Sequence, residues 1–432
     1  MANSLDSNTA EKLLKQFSAN FVSDGVLTQT CGKQVVNDFD ASTGDKVSMK
    51  RPTRYVPQRT ADGDFTGKEF NPISTGKIQG EVGEYITIFT EMKDIEMALQ
   101  LDQLGDGSEN MNTLLGSAAY DMATEYETDL GGRMMRAAAL NSGDVGTAIS
   151  KWSDVASPGS LLDEIGAVKG NRYVALNSYS EQNLADFQTT LGVNTEVSSA
   201  LSDATIRRKF AGFDNVMTTN NLPQKTHGTE TATLAVAAPP LQTYNSAKDT
   251  MQMSLALSDG TAGGTITAGQ QLRITERSFI NMRNRKVVLD GAGAPIEYTC
   301  TVLEDATADG AGNYTLLVSG AAIVEAGVNA AFNTIGSAIA TDDVVELLGS
   351  ADATYRPNLA YCGPDFFGCG SVQLKPLTNC ISKVITDDNL GISIRLTMDS
   401  DIIGNKNYAR WDILPTFVCY NPFFGVQVGG AS

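Results

Sequence analysis

Histidine is almost missing: His227 is the single one in 432 residues. A Ser-His-Asp or Cys-His nucleophile would have to be built on it, yet it stands in "THGTE", which reads as a surface loop. No GxSxG, Walker or GxGxxG pattern lies in a strand-turn-helix context. Paired cysteine spacing is absent too. Cys31 and Cys300 are isolated, and Cys362, Cys369, Cys380 and Cys419 follow no CxxC rhythm. That excludes the common zinc motifs and predicts reduced, packed thiols rather than a disulfide framework. The carboxylate pairs Asp62/Asp64, Asp342/Asp343, Asp387/Asp388 and Asp399/Asp401 sit in turn-like text, where solvated turn residues are the ordinary case. The sequence therefore assigns no catalytic residue, no cofactor and no metal ligand.

Positive charge is scarce: 32 Lys and Arg against 50 Asp and Glu leave a net charge of −18. A broad phosphate-binding surface is excluded. The two basic clusters, Arg207-Arg208-Lys209 and Arg283, Arg285, Lys286, read as solvated faces or subunit contacts, with anion binding as the alternative. No apolar run is long enough to span a bilayer. The opening "MANSLDSNTAEKLLKQF" lacks a signal-peptide core, so the expected compartment is a cytoplasm.

What is present is a 42% hydrophobic chain with enough core for two or three units. Residues 8–22 read as an amphipathic helix, capped by Asn8 and Glu11, with Leu13, Leu14, Phe17 and Phe21 as its stripe. "DKVSMKR" reads as a strand whose partner is "EYITIFT", 84–90. Between them, 52–83 is too long for a hairpin turn and too polar for a core. Tyr55, Val56, Phe65, Phe70 and Ile73 favour an arm that orders against a neighbour. "EMKDIEMALQLDQL" and then 109–140 read as helices, the second with Met122, Tyr126, Leu130 and Met134 on one face and a potential break at Gly131-Gly132. "SLLDEIGAV", "RYVAL" and "SEQNLADFQTTL" read as helix, strand, helix. From about 226 the text turns β-rich, with the Gly-rich turns "SDGTAGG", "DGAGAP" and "ADGAGN". Helical-fold text resumes at "TYRPNLAYCGPDFF". In "GISIRLTMDSDIIGNKN" Ile392, Ile394, Leu396 and Met398 alternate with polar residues, which predicts a half-buried strand opening a terminal hairpin.

This order of parts, with "STGDKVSMKRP", "AISKWSDVA", "AGFDNVMTTNNLP", "TYNSAKDTMQMSL" and "RWDILPTFVCYNP" along it, resembles the major capsid proteins of tailed double-stranded DNA bacteriophages. Within them it is similar to coat proteins of short-tailed enterobacterial phages that carry an inserted β domain. The resemblance implies an α+β fold of the Hong Kong 97 type, with peripheral and axial domains, an extended loop, a long spine helix and an inserted β-barrel or sandwich. It implies an N-terminal arm at 1–45, an extended loop hairpin at 46–90, and a peripheral domain with the spine helix at 91–150. The axial domain would occupy 151–225 and 355–390, the inserted β domain 226–354, and the terminal hairpin of the peripheral domain 391–432.

The function so implied is self-assembly, through hexamers and pentamers, into an icosahedral shell around packaged double-stranded DNA that is not bound sequence-specifically. A scaffolding protein and a portal protein would be partners, assembly would occur in the host bacterial cytoplasm, and no membrane is involved. The loop charges Arg54, Arg59, Asp62, Asp64, Lys68 and Glu69 are the expected intersubunit contacts. The rival reading is an extracellular fibre, adhesin or surface-layer protein, which the Gly- and Thr-rich insert alone would suit; an α/β enzyme is disfavoured by the missing site motifs.

Overall fold

The computed structural model describes residues 14–15, 17–21, 25–36, 46–50, 54–71, 73, 76–93, 109–190, 209–387 and 391–431. The chain forms two compact units: 1–47, 80–131 and 367–418 make the first, and 48–79, 132–366 and 419–432 the second. Among the described residues no helix is long and apolar enough to cross a membrane.

In the first unit the predicted N-terminal stripe packs as a core. Leu14, Phe17 and Phe21 are buried; Phe17 stacks on Trp411 at 5.5 Å, and Phe21 meets Tyr126 edge-on at 6.1 Å. Asn8, Glu11 and Leu13 lie outside the described residues. Strand β1 (Gly32–Val36) runs parallel to β18 (Phe367–Val372) in a five-stranded sheet that continues through β22 (Pro415–Cys419), β3 (Lys77–Val82) and β2 (Lys46–Lys50). The neighbour of β2 is thus β3, not the 84–90 segment.

That segment enters β4 (Ile86–Lys93), which pairs with β21 (Lys406–Ile413) in a second sheet, ordered β19 (Ile381–Asp387), β20 (Ile392–Asp401), β21, β4. The β4–β21 register sets Phe89 opposite Arg410 and diagonal to Tyr408, on which its ring stacks at 5.4 Å, and supplies the pairing that alternation alone could not choose. Glu91–Lys93 is strand, so the helix expected at 91–104 does not begin there, and its remainder lies outside the described residues. In β20 Ile392, Ile394 and Leu396 are buried as expected, but so is Ser393, whose amide donates to Ser371 Oγ at 2.5 Å. The strand is covered on both faces at its start. The chain does not close on this hairpin: β22 follows, and then β23 (Gly425–Ala431).

The long helix α1 is Glu109–Ala137. Met122, Tyr126, Leu130 and Met134 are all buried, as their spacing predicts. Gly131-Gly132 does not break it. Two glycines cost a helix about 2 kcal/mol relative to alanine, and burial of Leu130, Met134 and Met135 outweighs that.

In the second unit a mixed sheet runs β5 (Leu140–Ser142), β23, β17 (Thr354–Cys362), β6 (Arg172–Leu176), β7 (Asn215–Thr218), with β8 (Lys225–Thr226) also on β17. Helices α2 (Trp152–Ile165) and α3 (Ser178–Thr190) flank β6 in sequence. The text at 354–366, read as helical, is strand β17 followed by one short turn. Leu359, Ala360 and Tyr361 are fully buried between β23 and β6, and a strand covered on both faces loses its period of two.

The β-rich text closes into a six-stranded barrel: β10 (Gln252–Ser258), β15 (Tyr314–Ser319), β13 (Glu297–Val302), β12 (Gln271–Ser278), β16 (Val344–Leu347) and β9 (Leu234–Ala238). Met253, Leu255 and Leu257 alternate inward with Tyr314, Leu316 and Val318. Closure leaves no free sheet edge. The barrel also finishes α1 and the two residues that follow it, whose carbonyls have no partner within the helix. Ser319 Oγ donates to Ala137 O at 2.8 Å, Thr301 Oγ1 to Ala138 O at 2.5 Å and Thr299 Oγ1 to Ala139 O at 2.8 Å.

Candidate functional site

The six charges singled out in the sequence lie on the segment 54–71, which holds no helix or strand. Its two legs are tied by side chains instead. Asn71 bonds both backbone groups of Val56, at 2.9 and 3.0 Å, and Gln58 Nε2 donates to Glu69 O at 2.6 Å. The tip is folded by its own acids. Asp62 Oδ1 accepts from Asp64 N at 3.1 Å, and Asp64 Oδ1 from Thr66 N and Oγ1 at 2.8 and 2.6 Å. Gly63 and Gly67 take left-handed conformations, at φ 79° and 78°, that other residues resist. The Thr66 bonds hold the Asp64 carboxyl below its ordinary range, so the tip stays anionic.

Arg59, Asp62, Asp64, Lys68 and Glu69 are exposed. Arg54 differs: it is half-buried, with Nη2 3.5 Å from Met282 Sδ, and lines a cavity of about 370 Å³ with Met251, Phe332 and Asp365. Beside it Arg285 Nη2 donates to Tyr55 O at 3.0 Å. That gives one member of the "RNRK" cluster a place at the root of the segment. Lys209 is exposed, while Arg207 and Arg208 lie outside the described residues. Between the legs Tyr55, Phe65 and Phe70 line an open cleft; Phe70 is 88% exposed. Groups of opposite charge close together made the six residues visible in the sequence. Asn71, which holds them in place, was missed, because a lone Asn before Pro72 reads only as a turn.

The other chemistry-bearing groups are buried and structural. Glu127, on α1, is 1% exposed and accepts from Leu27 N at 2.8 Å, from Thr28 N at 2.7 Å and from Thr28 Oγ1. Burial pushes its pKa up, against those bonds. Asp412, with no exposure, receives Arg395 at 2.8 Å, Arg410 at 2.6 Å and Thr87 at 2.7 Å. Burial opposes its ionisation, and the three donors overcome that and hold its pKa low. Asp343 is spent on Arg277, at 2.5 Å. Asp388 lies outside the described residues. Burial and a bond to Cys369 hold the Cys31 thiol protonated. Among the described residues no three His, Cys, Asp or Glu side chains gather as a metal site would require.

His227 corrects the surface-loop reading. It is 4% exposed, and its ring packs on Tyr355 at 4.6 Å. Desolvation, then the Lys225 charge, bring its pKa down to about 4. Burial likewise brings Lys225 down to about 7. Lys225 lies on β8, which pairs with β17, the strand that carries Tyr355.

The P22 coat protein family, described as "P22 coat protein - gene protein 5", matches residues 1–430. A major capsid protein of Acyrthosiphon pisum secondary endosymbiont phage 1 is 35% identical over 434 residues, covering 100% of both chains. Two solved structures align along the chain at low identity. They are the capsid of Ralstonia phage GP4 (9% identity, TM-score 0.43, 95% of this chain and 91% of that one) and that of cyanophage P-SCSP1u (9%, 0.41, 94% and 89%). Matched over nearly all its length by the family and over all of it by a major capsid protein, the chain belongs to the P22 coat protein family and is a phage major capsid protein.

Proposed function

We propose that this capsid protein builds its shell by laying the segment 54–71 on a neighbouring copy, with Arg54, Arg59, Asp62, Asp64, Lys68 and Glu69 setting the docking. The observation that carries this is a segment held in shape by Asn71 and its tip aspartates while Phe70 and five of the six charges stay exposed. Exposed ion pairs within one chain contribute roughly 0–1 kcal/mol. Opposite charges across a repeated interface penalise wrong docking at every copy. Arg54, half-buried at the root, supports the arm's anchorage rather than its tip.

The layout that goes with this reading is an arm at 1–45, an extended loop at 46–90, a peripheral domain at 91–150 and 391–432, an axial domain at 151–225 and 355–390, and a β domain at 226–354. The protein carries no catalysis in this reading. It assembles in the host cytoplasm with a scaffolding and a portal protein. The net charge of −18 suits a wall that lets packaged DNA slide, since phosphate contacts would hold it. The test is Arg59→Glu and Asp62→Lys, followed by sedimentation of assembly reactions and melting of unassembled protein. Unaltered melting with few closed shells supports the reading. Normal shells, or simple unfolding, overturn it.

A further inference from the structure

Where the barrel meets the mixed sheet of its own unit there is a small cavity of about 20 Å³, whose lining includes the polar side chains of Lys225, His227, Gln271, Tyr355 and Gln427. Gln271, on β12, is 2% exposed; its Nε2 donates to Leu140 O at 3.0 Å and to Thr301 Oγ1 at 3.4 Å, which fixes the amide's orientation. Its Oε1 is buried with no partner. Gln427, on β23, donates to Met135 O at 2.7 Å and accepts from Lys225 Nζ at 2.8 Å. Lys225 Nζ also donates to Gly269 O. An ammonium has three protons, so one remains. The Ser350 backbone lies beside the His227 ring, but Nδ1 has no partner of hydrogen-bond geometry.

We infer that this cavity binds one water molecule, held by Gln271 Oε1, His227 Nδ1 and the third position of Lys225 Nζ, and that this water completes the joint between β12 and the chain's last strand. The size fits, since roughly 10–15 Å³ of such space holds a water, and buried waters typically make about three hydrogen bonds. The chemistry fits as well. Gln271 Oε1 is an acceptor only and requires a donor; water gives one proton there and has a second for the imidazole, while its oxygen takes the Lys225 proton. Chloride would satisfy the lysine but would be repelled by Oε1. A metal cation would sit beside Lys225 without a carboxylate to offset the charge. Leaving Oε1 unpaired would cost the joint the desolvation of a buried acceptor.

Two measurements test the inference on the full chain. In a cryo-EM map of assembled shells sharp enough to show ordered water, a peak should stand within hydrogen-bond distance of all three atoms. A cavity without density, or one filled by a turned side chain, overturns the inference. Gln271→Met and Lys225→Met, singly and together, provide the second readout. Lys225 and Gln271 share no direct bond, although Lys225 holds Gly269 O two residues away, so a bridge must add to the modest coupling already expected between them. With it, the double variant should lose clearly less than the sum, and strict additivity overturns the bridge.

Discussion

Asn71 pairs with Val56 as one strand residue pairs with another. Its side-chain oxygen accepts the Val56 amide at 2.9 Å, and its side-chain nitrogen donates to the Val56 carbonyl at 3.0 Å. The two legs of the arm thus meet through an amide that imitates backbone, where no ladder forms. Asn71→Ala should remove both bonds. Each is part-exposed and worth about 0.5–1.5 kcal/mol, and neither belongs to the barrel core, so the main melting transition should move by only 1–2 °C. Limited proteolysis should cut within 54–71 several-fold faster. Asn71→Asp, which keeps the acceptor and loses the donor, should fall between.

Glu127 holds the amides of Leu27 and Thr28 from α1. Glu127→Ala leaves two buried N–H groups without a partner and should cost about 2–4 kcal/mol in denaturant unfolding of the unassembled chain. The pH dependence has a definite sign. Burial raises this carboxyl above its ordinary value, so the folded chain holds its proton more tightly than the unfolded one. That contribution is fully present below about pH 4.5 and is lost as pH rises through the folded value. The variant's penalty should therefore be larger at pH 4.5 than at pH 8.

Thr301 tests the way the barrel finishes α1. It has no exposure and donates to Ala138 O. Thr301→Val keeps the shape and removes the donor, leaving a buried carbonyl short of its bond; a loss of about 1–2 kcal/mol is expected. Thr301→Ser keeps the hydroxyl and loses one methyl, about 1 kcal/mol. If the helix end and barrel form one cooperative body, hydrogen exchange in the last turn of α1 should speed up in the valine variant alone.

Strands whose period or turns were local were legible in the sequence. "RYVAL" is β6, Arg172–Leu176, residue for residue, and the Gly-rich turns bound barrel strands. Partners set by distant residues were not. Alternation shows that Ile86–Lys93 is a strand but not that Phe89 will stack on Tyr408, far along the chain. Residues 357–362 lost their period through burial on both faces. Propensity opposed Gly131-Gly132 in a helix, and packing overrode it. At the candidate site the arm's charges were visible because groups of opposite sign follow one another closely, whereas the Asn71 tie and the burial of His227 depend on Val56 and Tyr355, which no local pattern links to them.

Tyr355 covers the chain's one histidine, and that makes its titration assignable. Desolvation first, and the Lys225 charge second, bring His227 down to about 4 from an ordinary 6.5. Between those values the unfolded chain binds a proton that the folded chain refuses, so stability rises with pH across the window. The contribution is whole above pH 6.5 and is lost progressively down to about pH 4. After allowance for solvent screening the loss is about 2 kcal/mol. The barrel's Glu230 carboxyl, held at about 2 by Tyr314 and backbone donors against its own desolvation, contributes in a separate window below about pH 4.5. His227→Gln should therefore flatten the melting-temperature profile between pH 4 and 6.5 and leave the lower limb unchanged. With a single imidazole, specific carbon-13 labelling of histidine yields one signal whose midpoint is read directly. A midpoint near 4 matches a ring buried against Tyr355, and a midpoint at 6 or above would place the ring in solvent and remove it from the joint.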